Sequence, residues 1–262
     1  MRTILLAAAA FLGLTIAGAA QAAQAGGCAN TDAIGTARVV EVDTRNIVAV
    51  GRSQKTFTQG PASAPPLLRT GEVALTFDDG PLPQTTQKIL DILARECVRA
   101  TFFMIGKRAE AAPELARRLR EAGHTLGSHS WSHVKLSGLP EDQAIDDIRK
   151  GYEAVERAAY GAPRPPDTPR LFRFPEWSAT PALLAFTHGR NIAAIGADIS
   201  PADWRGHPPE VTLERLRKLL DKTDRGIIVL HDNQKNTVAL LPALLAELKA
   251  RGLRVVQLTP KQ

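Results

Sequence analysis

The sequence is poor in aromatic residues, which make up 5% of its 262 positions, and it has no lysine and arginine cluster with interleaved aromatic residues. Nucleic-acid-binding surfaces usually present such a basic cluster, so no nucleic-acid partner is expected. The formal net charge of +6 is a modest basic excess that suits anionic polymers. No internal repeat and no second domain are visible, and we expect a monomer.

The N-terminal apolar run is too short for a membrane anchor, which needs about 20 apolar residues. It extends from Ile4 to Ala17, follows Arg2, and leads to small residues at Ala22 and Ala25. This pattern predicts a secretory signal peptide over residues 1–25. We therefore expect an exported protein, periplasmic or secreted, without stable membrane insertion once the signal is removed.

Cysteine is scarce as well, since Cys28 and Cys97 are the only two in the sequence. Export takes a chain to an oxidising compartment, which favours a disulfide between them over a redox or metal-binding pair. The bridge would tie the mature N-terminus to the first helix. The alternative is two unrelated thiols.

From Val73 onward, short apolar runs alternate with helical patterns, which predicts repeated βα units and a parallel sheet. The seven predicted strands are Val73–Phe77, Ala100–Ile105, His124–Gly127, Leu171–Phe174, Ile192–Ala197, Ile227–Leu230 and Arg254–Leu258. Such an α/β sheet either stays open and doubly wound or closes into a distorted barrel, and the periodicity does not choose between them.

The helices between these strands carry their own signals. One predicted helix face carries Ile89, Leu93 and Cys97, another helix opens at Pro113 and ends at Gly123, and a third carries residues 145, 148, 152 and 155 on one face. Thr180-Pro181 and Pro208-Pro209 mark two more helix starts, and the last helix begins near Pro242 or is kinked there.

The segment before the first of these strands is different in composition. It contains a short alternating strand in ARVVEVDT and a proline- and alanine-rich loop in GPASAPP. We interpret residues 26–70 as an N-terminal extension and residues 71–262 as a single domain of about seven βα units.

Two adjacent aspartates, Asp78 and Asp79, follow the first predicted strand, and Gly80-Pro81 turns the chain directly after them. Their side chains should point in different directions, because successive residues of an extended chain alternate faces. One carboxylate can then face a metal while the other faces a water molecule. By itself, however, a tetrapeptide of this kind is more often a solvated turn than a functional site.

The segment GSHSWSHVKLS follows a strand at the same expected edge and contains His129 and His133. Spacing of i, i+4 brings two imidazoles within reach of one ion in a helical or turn conformation. Two histidines and one aspartate form a facial ligand set that leaves positions open for water and substrate, so the group is interpreted as catalytic rather than structural.

Further polar residues stand at three other strand ends. His231 follows GIIVL, where its position favours a proton donor over a strand-end histidine with a structural role. Arg173 ends the fourth strand and can hold an aspartate ionised. Asp198, Asp203 and Trp204 follow the fifth.

Taken in order, these segments resemble the polysaccharide deacetylases, the family of the NodB homology domain, which act on chitin, chito-oligosaccharides or peptidoglycan. The matching stretches are TFDDGP from Thr76, HSWSH from His129, RFP from Arg173, DW from Asp203 and LH from Leu230. The resemblance extends from about Val73 to Leu258, and the first two stretches together are highly specific.

The resemblance implies a distorted (β/α) barrel with a divalent metal, usually zinc, although cobalt or another divalent ion would also fit. It implies that Asp79, His129 and His133 hold the metal and that Asp78 is the general base and His231 the general acid. It further implies that Arg173 orients Asp78 and that Asp203 tunes His231. The residues expected to contact substrate are Pro175, Glu176, Trp204 and Leu230.

The chain departs from the family pattern at two places. Glu176 and Trp177 stand where the family usually has an aromatic residue and glycine, which affects substrate preference, since the expected oxyanion donor at Glu176 is a backbone N–H. Ser200 replaces the first aspartate of the fourth motif, and Asp198 lies two residues earlier.

The activity that follows is release of acetate from N-acetylglucosamine residues of a glycan. An O-acetyl esterase acting on a glycan such as xylan could use the same groups. A wall-binding protein without activity is the third hypothesis, but binding alone would not need Asp78 and His231.

Overall fold

A computed structural model describes residues 30–46, 49–50 and 67–262. The strands are β1 (Thr36–Val42), β2 (Ala49–Val50), β3 (Glu72–Asp78), β4 (Thr101–Met104), β5 (Thr125–Ser128), β6 (Arg170–Phe172), β7 (Ile192–Ile195), β8 (Gly226–His231) and β9 (Arg254–Pro260). The α-helices are α1 (Thr86–Arg95), α2 (Gly106–Ala111), α3 (Pro113–Glu121), α4 (Glu141–Tyr160), α5 (Pro181–His188), α6 (Pro209–Leu220) and α7 (Lys235–Ala250). Single 3₁₀ turns occur at Leu136–Gly138, Pro175–Trp177 and Asp203–Arg205.

The strands close into a distorted barrel, which decides between the two predicted architectures. All neighbouring strands are parallel, and β3 to β7 lie side by side in chain order. Beyond β7, Ile199 bridges Ile228 of β8, and β8 pairs with β3 to complete the ring. The last strand, β9, pairs with the first half of β3 and with β1.

Alternation along β3 separates the barrel interior from the layer under the helices. Val73, Leu75 and Phe77 belong to the large apolar cluster that includes residues of α1 and α7. Ala74 belongs to a second cluster with residues of β4, β6, β7 and β9. Because side chains two apart share a face, Thr76 and Asp78 point the same way as Ala74, into the barrel.

All seven predicted strands form, and helix starts at Pro113, Pro181 and Pro209 agree with the prediction. At Pro181 the side chain of Thr180 caps the helix by accepting from the Leu183 N–H at 3.3 Å. The last helix begins at Lys235 and includes Pro242, so of the two alternatives the start near Pro242 is wrong and the helix continues through the proline.

Two other helical details differ from the sequence interpretation. Helix α1 ends at Arg95, so Cys97 does not extend its apolar face. The reason is a C-terminal turn in which Cys97 has a φ of 52° and the Val98 N–H donates to the Leu93 carbonyl at 2.9 Å. Helix α2 was not predicted, because its six residues are too few for a periodic pattern.

The N-terminal extension is joined to the barrel by β1 and by an ion pair between a partly exposed arginine and a buried carboxylate. Arg38 donates to both carboxylate oxygens of Glu72, at 2.8 and 2.6 Å, and Glu72 is only 1% exposed. The hydrogen bond from Arg38 outweighs burial and lowers the pKa of Glu72 to about 2. The predicted signal peptide and the whole GPASAPP loop lie outside the described residues.

The described start of the chain lies against the turn that contains Cys97. Gly35 N–H donates to the Glu96 carbonyl at 2.9 Å, and the Asn30 side chain donates to the Arg95 carbonyl at 3.2 Å. Cys28 lies outside the described residues, so its pairing with Cys97 stays a prediction.

If the disulfide forms, peptide mapping of the exported protein without reductant should recover Cys28 and Cys97 in one cross-linked fragment. Cys97→Ser should lower the free energy of unfolding by about 4 kcal/mol in the chain-entropy model, as measured by denaturant titration. Reductant should lower the wild-type midpoint and leave the variant unchanged. Recovery of two alkylated thiols from the unreduced protein would contradict the pairing.

Candidate active site

The two aspartates after β3 lie in different backbone environments. Asp78 is the last residue of β3, is 3% exposed, and points into the barrel. Asp79 lies beyond the strand with a φ of 77°, in the left-handed region that non-glycine residues rarely adopt. The turn therefore sends the two carboxylates in separate directions, as the sequence predicts.

Inside the barrel, Asp78 forms an ion pair with Arg173, which has no exposed surface. Arg173 Nη1 donates to Asp78 Oδ1 at 2.7 Å and to Thr76 Oγ1 at 2.8 Å. Its Nε donates to the Ile195 carbonyl at 2.9 Å and its Nη2 to the Gly196 carbonyl at 2.7 Å. This bonding fixes the guanidinium, so one oxygen of Asp78 is held in place.

On the other side of the turn, Asp79 faces the two histidines of HSWSH. Its Oδ1 lies 3.1 Å from His133 Nε2 and 3.7 Å from His129 Nε2. One candidate ligand atom from each of these three residues falls within 4.8 Å of the others. The predicted metal-binding residues are therefore close together.

The bonding of these side chains fits a cation. His129 Nδ1 lies 2.7 Å from the Arg173 carbonyl, a bond that requires the proton on Nδ1 and leaves the Nε2 lone pair for a ligand bond. Among the described residues, Asp79 Oδ1 is buried without a hydrogen bond of good geometry. A divalent cation would use both atoms.

The charges of the group are also suitable for metal binding. Burial lowers the pKa of His129 despite the nearby Asp78 and Asp79, which favours the neutral imidazole that a metal requires. Burial would raise the pKa of Asp79, but the contact with His133 and the charges of the histidines lower it well below its usual range.

The histidines stand on a loop rather than on a helix. Ser130 and His133 have φ values of 63° and 61°. Asp147 of α4 holds the loop by accepting from the Trp131 N–H at 3.0 Å and from the Ser132 hydroxyl at 2.6 Å. Of the two conformations that the i, i+4 spacing allowed, a helix or a turn, the structure has the turn, and Asp147 holds it.

The third histidine, His231, ends β8 directly opposite Asp78 in the parallel register. Its Nδ1 lies 2.8 Å from Asp203 Oδ1, and its backbone N–H donates to Asp203 Oδ2 at 2.7 Å. Burial would lower the pKa of His231, but the hydrogen bond and charge of Asp203, with the charges of Asp78 and Asp79, raise it to about 9. These contacts favour the protonated form of the His231 imidazole at neutral pH.

The other predicted site residues lie around this centre or behind it. Glu176 is exposed and has a φ of 50°, and Trp204 is 51% exposed. Pro175 and Leu230 are buried, with Leu230 in the apolar cluster under the helices. Asp198 accepts from the Ile227 N–H at 2.9 Å, which supports the bridge that closes the barrel.

Three residues near the aspartates were missed by the sequence analysis. Asp232 is buried against Gly80 and accepts from the Thr86 hydroxyl at 2.6 Å. Asn233 donates to Asp79 Oδ2 at 3.2 Å, and Arg108 donates to the Asp79 carbonyl at 2.6 Å. The only sequence signal for the first two was their position directly after His231, the residue that ends the predicted sixth strand.

Asp232 explains why glycine stands at position 80. A Cβ there would lie 1.9 Å from Asp232 Oδ2, so only glycine allows this approach. Burial, with the charges of Asp79 and Asp78, raises the pKa of Asp232 to about 7 although the Thr86 hydroxyl lowers it.

Among the described residues, no helix has the length and apolar character needed to cross a membrane.

A family model and two characterised proteins that match this chain are all described as deacetylases. The family model described as polysaccharide deacetylase matches residues 68–188. A peptidoglycan-N-acetylglucosamine deacetylase of Bacillus cereus is 32% identical over 192 residues, 71% of this chain and 66% of that protein. A chitin deacetylase of Colletotrichum lindemuthianum is 33% identical over 212 residues, 76% of this chain and 83% of that protein.

A solved structure of a Bdellovibrio bacteriovorus peptidoglycan deacetylase superposes with a TM-score of 0.73 and 30% identity, covering 86% of this chain and 59% of that one. The chain thus spans less than two thirds of the length of several relatives, down to 37% for one from Listeria monocytogenes. The identity and coverage shared with the chitin deacetylase show that the chain belongs to the polysaccharide deacetylase family.

Proposed function

We propose that the protein is a metal-dependent hydrolase that removes acetyl groups from N-acetylglucosamine residues of a glycan. The observation that carries this proposal is the placement of Asp78 and His231 in register beside the Asp79, His129 and His133 group. One carboxylate fixed by an arginine and one protonated histidine at the same ligand group are what amide hydrolysis requires.

We propose that Asp79, His129 and His133 hold a divalent metal, with zinc as the best match to two imidazoles and one carboxylate. When bound, such a metal polarises a carbonyl and makes a water molecule more acidic. Asp78 then takes the proton of the water that attacks the acetamide carbon. Since Arg173 holds Oδ1, the oxygen available for this proton is Oδ2, which lies 3.9 Å from His129 Nε2.

The departing amine needs a proton, and His231, the register partner of Asp78 on the neighbouring strand, supplies it. Asp203 accepts from the His231 ring and from the Thr237 hydroxyl, so it holds the imidazolium in one orientation. Acetate and a free amino sugar are the products. The proton gained by Asp78 and the proton lost by His231 balance over the cycle.

The substrate class is inferred from the chemistry shared by the relatives. Two that cover much of this chain are named for peptidoglycan N-acetylglucosamine and for chitin, and N-acetylglucosamine is common to both polymers. The predicted signal peptide supports action in the periplasm or outside the cell. We therefore propose peptidoglycan or chitin-type glycans as substrates.

The test of this function is acetate release from chito-oligosaccharides and peptidoglycan, with O-acetylated xylan as the comparison substrate. The expected result is release from an N-acetylated glycan, loss of activity after chelation, and recovery on addition of zinc. Release from O-acetylated xylan alone would support the esterase instead.

Asp78→Asn should abolish most turnover while leaving the metal bound, because Asp78 is assigned to proton transfer rather than to metal binding. General-base loss typically costs about 10²–10⁴-fold in rate. His129→Ala should lose metal as well as activity. Both are measured by acetate release and by metal content after gel filtration, and equal metal loss in the two variants would overturn the role assignment.

Asp203→Asn should move the alkaline fall in kcat to lower pH. A general acid works below its pKa, so wild-type activity should fall as pH rises through the pKa of His231 at about 9. Without the Asp203 charge, burial lowers that pKa, and the fall comes earlier. Asp224→Asn is the control, because Asp224 is exposed and bonds to Arg225 and Thr70, and its profile should keep the wild-type alkaline limb.

A further inference from the structure

A short chain of side-chain amides leads from helix α7 to the carboxylate of Asp79. Gln234 Nε2 donates to Asn233 Oδ1 at 3.0 Å, and Asn233 Nδ2 donates to Asp79 Oδ2 at 3.2 Å. Gln234 immediately precedes α7, and both amides are half-buried. Neither Asn233 nor Gln234 has a role in the proposed proton transfers.

The direction of both bonds follows from the charge of Asp79. An ionised carboxylate only accepts hydrogen bonds, so the Asn233 group that faces it must be the NH₂. The Asn233 oxygen then faces Gln234, which must present its own NH₂. The carboxylate thus sets one orientation for the whole chain of amides.

The backbone of Asp79 is already fixed from the other side. Arg108 donates to the Asp79 carbonyl at 2.6 Å, and the Ile105 N–H donates to the Gly80 carbonyl at 2.9 Å. The Asp79 carboxylate can still rotate about its side-chain bonds. The hydrogen bond from Asn233 restricts this rotation by holding Oδ2, and Oδ1 then faces His129 and His133.

We propose that Asn233, supported by Gln234, is a positioning residue for the metal site, which presents Asp79 Oδ1 to the cation. This inference rests on the proposed metal-dependent function. Partners that hydrogen-bond metal ligands typically contribute about 10–100-fold to metal affinity. The same range is expected for Asn233.

The experiment measures the zinc Kd of the full chain by competition with a chromophoric chelator. Asn233→Leu keeps a similar volume and removes the N–H donor, so zinc affinity should fall about tenfold or more. The control is Asn46→Ala, which removes an exposed Asn-to-Asp bond of 2.9 Å to Asp43 in the N-terminal extension and should leave the zinc Kd unchanged. The melting temperatures of the metal-free proteins show whether a weaker zinc affinity comes from a changed Asp79 orientation or from a destabilised fold.

A weaker zinc Kd with an unchanged metal-free melting temperature supports the positioning role. A zinc Kd equal to that of wild type overturns it. If Asn233→Leu does not fold, Gln234→Ala provides the same test, since it leaves the Asn233 oxygen without its partner and should weaken zinc binding several-fold; no change in that variant overturns the proposal. Wild-type acetate release is measured separately, so the proposed function can fail independently of this inference.

Discussion

The buried ion pair between Arg173 and Asp78 is the interaction on which the rest of the site depends. Both groups are taken out of water, which costs free energy that only the pair and its hydrogen bonds offset. Removing one member of such a pair typically costs about 3–5 kcal/mol, because the other charge stays buried. The guanidinium also binds carbonyls at the end of β7, so the pair braces the barrel from β3 to β7.

Parallel register brings the remaining groups to this pair. Asp78 lies opposite His231, and Ser128 lies opposite Phe172, which sets His129 beside Arg173 at the next position. Each side chain stands just at or after a strand end, where the backbone can turn without breaking the sheet. Strand pairing therefore places Asp78, His129, Arg173 and His231 at this edge, and the loop that Asp147 holds adds His133.

Much of this could be predicted from sequence because the signals are local. Apolar runs marked all seven strands, and the motif residues Asp79, His129 and His133 meet as expected. Closure of the barrel was not predictable from periodicity, since the bridge from Ile199 to Ile228 depends on where two distant segments meet. Asn233 and Asp232 escaped notice for the same reason, because their partners in the Asp79 turn are adjacent only through strand register.

Arg173 contacts both the proposed metal site and the proposed general base. Its main-chain carbonyl bonds to His129, a proposed metal ligand, and its side chain bonds to Asp78, the proposed base. A small displacement of the end of β6 would carry ligand and base in the same direction. A substitution at Arg173 would therefore affect the proposed metal site and the proposed base together, whereas a change confined to the Asp203 side would affect neither contact.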